Sequence, residues 1–78
     1  TYMLIINMEN RPETEEHIYR ALHRQSCKVR SKIIKQDKVE LSMEVRLKRN
    51  NLNITDSLQE ISGVKDVTLV QYRGSYEA

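Results

Sequence analysis

The chain has no tryptophan and no phenylalanine, so aliphatic residues and methionine must fill any core. It has one cysteine, Cys27, which excludes an internal disulfide and a cysteine-based zinc site. That usage fits a reducing compartment, with Cys27 a half-buried structural residue. With one proline and two glycines, the chain has few intrinsic breaks. No apolar run reaches the length of a transmembrane helix or a signal peptide. The formal net charge is only +2, so the bulk balance points to no nucleic-acid partner.

What is present is 78 residues, 38% hydrophobic and 31% charged, which suits one small folded domain. A domain of this size buries only about 60% of its unfolded surface, so partner contacts have room to matter. The chain starts at Thr1 and enters strand-like sequence at Tyr2, so residues 1–78 are expected to be one domain cut from a longer protein. Charge is unevenly placed. Four acids lie between Glu9 and Glu16, then six bases and no acid between Arg20 and Lys35. Acids at the start of a helix and bases at its end complement the macrodipole. The same bases could instead form an edge, Lys28, Arg30 and Lys32, facing phosphate or lipid headgroups.

Periodicity gives six elements. "YMLIINM" is apolar enough for a central strand, with Tyr2, Leu4, Ile6 and Met8 on one face and Met3, Ile5 and Asn7 on the other. A helix follows, with Asn10 as N-cap, Pro12 early and Glu13 at the reciprocal capping position. Its apolar stripe is Thr14, Ile18, Ala21, Leu22 and Gln25. A hairpin comes next. Its second arm alternates, with Val39, Leu41, Met43, Val45 and Leu47 inward. In its first arm Val29, Ser31 and Ile33 face in, while Lys28, Arg30, Lys32 and Ile34 face out. Facing residues must share a face, so the pattern predicts a three-residue loop over Lys35 to Asp37. That loop opposes Ile33 to Val39, Val29 to Met43, Lys32 to Glu40 and Lys28 to Glu44. A short helix is capped by Asn53, carries Ile54, Leu58 and Ile61 on one face, and ends at Gly63 as its C-cap. The last strand turns Val67 and Leu69 inward and Thr68, Val70 and Tyr72 outward.

Strand, helix, strand, strand, helix, strand with right-handed crossovers makes a ferredoxin-like βαββαβ sandwich of the α+β class: a four-stranded antiparallel sheet with two helices on one face. The first and third strands should be central. This fold carries many functions, so the residues must select among them. The loop after the first strand has neither the Cys-x-x-Cys of a heavy-metal binder nor the glycines of an acylphosphatase phosphate cradle. The outward positions Met3, Ile5, Glu40, Ser42 and Glu44 offer no aromatic for base stacking. His17 and His23 are six apart on a helix and do not share a face. Ser26 and Cys27 have no base placed beside them, so catalytic residues, metal ligands and cofactors are expected to be absent. One feature exceeds what the core needs. Met3, Ile5, Val70 and Tyr72 point away from the helices on neighbouring strands, and Ile34 would extend the area at the far edge. Such a patch, a few hundred Å² in scale, marks an interface for a second copy or for the parent protein.

"EISGVKDVTLV" resembles the second helix and last strand of ACT-like regulatory domains, where a helix ends in an Ile-x-Gly-Val turn and runs into a valine-rich strand. The element order over Tyr2 to Tyr72 is also similar. The resemblance implies a non-catalytic regulatory domain that works by self-association or by sensing a small ligand. ACT domains bind amino acids at the loop after the first strand, often with an Asp and a Pro-Gly pair. Asn10, Arg11 and Pro12 stand in that loop as the implied ligand residues, with Glu13 in place of the glycine. The chain resembles more closely the cytosolic C-terminal domain of MgtC/SapB-type bacterial membrane proteins. That would place it in the cytoplasm and at a membrane only through its parent. The alternatives are an amino-acid-sensing domain of a soluble metabolic enzyme, or a module whose basic edge binds RNA or lipid headgroups.

Overall fold

A computed structural model of the chain describes residues 1–48 and 52–71. Its elements are β1 (Tyr2–Glu9), α1 (Pro12–Ala21), β2 (Ser26–Lys35), β3 (Lys38–Arg46), α2 (Ile54–Gln59) and β4 (Val64–Gln71). The strands form one antiparallel sheet in the order β2-β3-β1-β4. This is the βαββαβ sandwich expected, with β1 and β3, the two strands that bury the most residues, at its centre.

The core lies between the sheet and the helices. Leu4, Ile6 and Met8 of β1 and Val39, Leu41, Met43 and Val45 of β3 are buried, at the period of two that a one-sided sheet requires. From the other layer come Ile18 and Leu22 of the first helical segment and Leu58 of α2. Val67 and Leu69 of β4 pack against this cluster, as their alternation implies.

Three local expectations are corrected. The α1 N-cap is Arg11, not Asn10, and no side chain caps it. Pro12 explains this: it occupies the first turn and holds its predecessor extended, with Arg11 at φ −131° and ψ 129°. Asn53 does stand at the start of α2, but its side chain makes no capping bond. Gly63 is not the C-cap, which is Glu60; it lies in the following turn at φ +97°.

The hairpin differs most. Its loop is a two-residue turn, Gln36-Asp37, with Gln36 at φ 55° and Lys35 opposite Lys38. Ile34 therefore pairs with Val39, Ile33 with Glu40 and Lys32 with Leu41, so the expected Ile33–Val39 and Lys32–Glu40 pairs do not form. The register then shifts between Val29 and Ser31, which restores the expected Val29–Met43 and Lys28–Glu44 pairs. An extra residue at Arg30 thus reverses the alternation halfway along β2. The turn end turns Ile34 and Lys32 to the helix side and Ile33 and Ser31 to the open side. The other end keeps Val29 and Cys27 on the helix side.

Candidate interaction surface

The register defines the open face of the sheet as a grid. One row across β2, β3, β1 and β4 is Lys28, Glu44, Met3 and Val70. The next is Ser31, Ser42, Ile5 and Thr68, and the third is Ile33, Glu40, Asn7 and Asp66. Met3, Ile5 and Val70 form a contiguous apolar stripe on β1 and β4. Met3 and Ile5 are half-buried by their neighbours, and Val70 is 48% exposed. Tyr72 lies outside the described residues. Hydroxyls of Ser42 and Thr68 flank Ile5, Glu44 and Lys28 continue the Met3 row towards the β2 edge, and Glu40, Asn7 and Asp66 form the row beyond Ile5. The Asn7 amide donates to an Asp66 carboxylate oxygen at 2.7 Å.

The far-edge residue on this face is Ile33, 44% exposed, and not Ile34. The two-residue turn decides this, because counting from a tight turn places Ile33 beside Glu40. A shallow cleft at that corner is lined by Asn7, Ile33, Lys35, Lys38, Val39 and Glu40.

The expected basic edge is divided between the two sides. Arg30 Nε lies 3.3 Å from Glu44 Oε1 on the open side. Lys32 Nζ reaches across to α1 and donates to Glu15 Oε1 at 2.8 Å. That bond holds the Glu15 carboxyl below the usual carboxylate range. Tyr19 Oη donates to the other Glu15 oxygen at 2.8 Å. Burial, and then this bond to a carboxylate, push the Tyr19 phenol up to about 12. Lys28 sits opposite Glu44 in the ladder. The Cys27 sulfur lies 3.8 Å from the Leu22 carbonyl, and burial pushes its thiol up.

Asn10, Arg11 and Pro12 come together at one end of the molecule with the β2–β3 turn and the turn before β4. The Asn10 backbone N–H donates to the Asp37 carbonyl at 2.7 Å, and that of Glu9 to the Gly63 carbonyl at 2.8 Å. Arg11 Nε stands 3.4 Å from Glu9 and 3.9 Å from Glu13. The loop is thus held from both sides, and its one cation has two carboxylate neighbours. His23 Nδ1 lies 2.9 Å from the Arg20 carbonyl, which occupies that ring nitrogen. Among the described residues no three His, Cys, Asp or Glu side chains gather in a metal-ligating group. No described helix is long and apolar enough to cross a membrane.

Solved structures share this architecture. A crystal structure of the ACT domain from a GTP pyrophosphokinase of Chlorobium tepidum matches with a TM-score of 0.62 at 16% identity, over 88% of this chain and 95% of that one. A solution structure of the same domain matches with a TM-score of 0.69 at 14% identity, over 99% and 92%. A homoserine dehydrogenase from Thiobacillus denitrificans matches with a TM-score of 0.61 at 21% identity, over 88% of this chain and 16% of that enzyme. No protein-family model and no curated protein matches the sequence. At these identities the likeness establishes the fold: the chain has the ferredoxin-like fold of ACT domains.

Proposed function

We propose that the chain is a non-catalytic regulatory domain of ACT type, which acts by joining to a second copy of itself through the open face of its sheet. One observation carries the reading. The face turned away from the helices bears an apolar stripe, Met3, Ile5 and Val70, that the domain's own core does not use. Laying β1 of one copy over β1 of another sets apolar groups on apolar groups, with the Ser42 and Thr68 hydroxyls beside them and the carboxylates of Glu44, Glu40 and Asp66 around the stripe. A small ligand that bound one association state better would shift the balance between states by its difference in affinity. The held loop of Asn10, Arg11 and Pro12 is the candidate place for such a ligand.

The structural neighbours are compatible with an appended role, since one of them uses this fold for only 16% of its length. The finer placement is a cytoplasmic domain following the membrane helices of an MgtC/SapB-type protein, supported by the likeness of "EISGVKDVTLV" and its element order. The second reading is an amino-acid sensor within a metabolic enzyme, favoured by neighbours that come from enzymes. Sedimentation across a concentration series tests the association: the average mass should rise with concentration, and a constant monomer mass would refute it. Calorimetry against a panel of amino acids separates the readings, because saturable heat with one of them selects the enzyme-type sensor.

A further inference from the structure

Two lysines face each other at the end of the hairpin. Lys35 and Lys38 are partners in the ladder, one on each side of the Gln36-Asp37 turn, and both rise from the open face. Like charges set directly opposite destabilise a strand pair. Among the described residues neither lysine makes an ion pair. The carboxylate across the ladder from Lys38 is that of Glu9, which stands by Arg11 instead. The next row sets Ile33 opposite Glu40, with Asn7 beyond. Glu40 too has no ion-pair partner among the described residues. Asn7 uses its amide N–H on Asp66, which leaves its carbonyl oxygen as an acceptor next to Glu40. These groups line one shallow cleft of about 160 Å³, at the corner of the face beyond Met3, Ile5 and Val70.

We propose that this cleft binds a linear molecule with a carboxylate at one end and an ammonium at the other. Lys35 and Lys38 take the carboxylate between them, which relieves their mutual repulsion. Ile33, 44% exposed, carries the methylene chain. Glu40 and the Asn7 carbonyl oxygen take the ammonium. The spacing selects the ligand class. Residues two apart on a strand, as Lys38 and Glu40 are, stand about 6.8 Å apart along it, so the two charges of the ligand must be several bonds apart. A bare anion such as phosphate would meet the Glu40 carboxylate with its own charge. An α-amino acid holds both charges on neighbouring groups and reaches one end only. The cleft is built before the ligand arrives, because the Asn10 backbone N–H holds the turn through the Asp37 carbonyl at 2.7 Å.

The test is an NMR titration of the 78-residue chain with ε-aminocaproate, its isomer norleucine, caproate and hexylamine. ε-Aminocaproate should shift the amides of Ile33, Lys35, Lys38 and Glu40 saturably. It should bind about threefold or more tighter than each of the other three, the worth of one exposed ion pair. Lys35→Gln with Lys38→Gln should weaken ε-aminocaproate and caproate and leave hexylamine unchanged. Glu40→Gln should weaken ε-aminocaproate and hexylamine without weakening caproate. The double lysine variant should resist urea at least as well as wild type, since the repulsion is gone, so its lost binding is not lost folding. Repeating the titration on Val70→Asp should give the same order of affinities, which keeps this site separate from open-face association. Norleucine binding here as tightly as ε-aminocaproate, or no saturable shift of these amides, would overturn the proposal.

Discussion

The hydroxyl of Thr14 donates a hydrogen bond to the carbonyl of Ser62 at 3.0 Å, tying α1 to the turn that launches β4. Thr14 is buried, and a methyl group at Gly63 would collide with its hydroxyl. Gly63 is also held at φ +97°, which side chains rarely adopt. Gly63→Ala is therefore expected to cost about 2 kcal/mol or more, from backbone strain and overpacking together. Thr14→Val keeps the shape and loses the bond, for about 1 kcal/mol. Urea denaturation of the two variants checks both values and their order.

The bond from Lys32 to Glu15 makes a prediction about pH. Glu15 has its carboxyl pKa lowered in the folded protein, chiefly by that bond. Its stabilising contribution is thus fully present above the ordinary carboxylate pKa, and is lost as pH falls through the lowered folded value. In Lys32→Met the Glu15 carboxyl should titrate higher, as read by carbon-detected NMR. The stability gap between wild type and variant should narrow on acidification. A gap that stayed constant through the acid range would remove the pair from the account.

The turn residue Gln36 sits at φ 55°, in the left-handed region, where a side chain costs about 1 kcal/mol. Gln36→Gly should raise stability by about 0.5 kcal/mol after its own entropic cost in the unfolded chain. Because the tight turn sets the hairpin register, the variant should leave the pairing of Ile34 with Val39 unchanged. Cross-strand nuclear Overhauser contacts would check the register, and thermal unfolding the stability.

Much of this fold is legible in the residues, because β1 and β3 carry clean apolar alternation and sit where both neighbours enforce it. Buried Leu4, Ile6, Leu41 and Met43 lie as that pattern implies. The strand β2 is different. It lies at an edge with every residue exposed, so no burial constraint fixes which face Ile33 or Ile34 occupies. The pattern favours a loop of odd length, whereas a tight turn and an extra residue at Arg30 together satisfy the same Val29–Met43 match. Either solution aligns Lys28 with Glu44, so the sequence does not separate them. The open-face stripe of Met3, Ile5 and Val70 was visible because those residues sit on well-determined strands. Ile33 and the reach of Lys32 to Glu15 were not, since both depend on the count from the turn. The N-cap at Arg11 has a visible signal after all, in the extended conformation that Pro12 imposes on its predecessor.

The central claim is that the stripe of Met3, Ile5 and Val70 joins two copies. Sedimentation of wild type beside Val70→Asp, and beside Ile5→Asp with Val70→Asp, tests it most directly. Val70 is exposed enough that its single substitution should leave the urea midpoint close to wild type. At matched concentration the Val70→Asp chain should show a lower average mass than wild type, and the double variant a mass at least as low. Equal masses for all three folded chains would contradict the account.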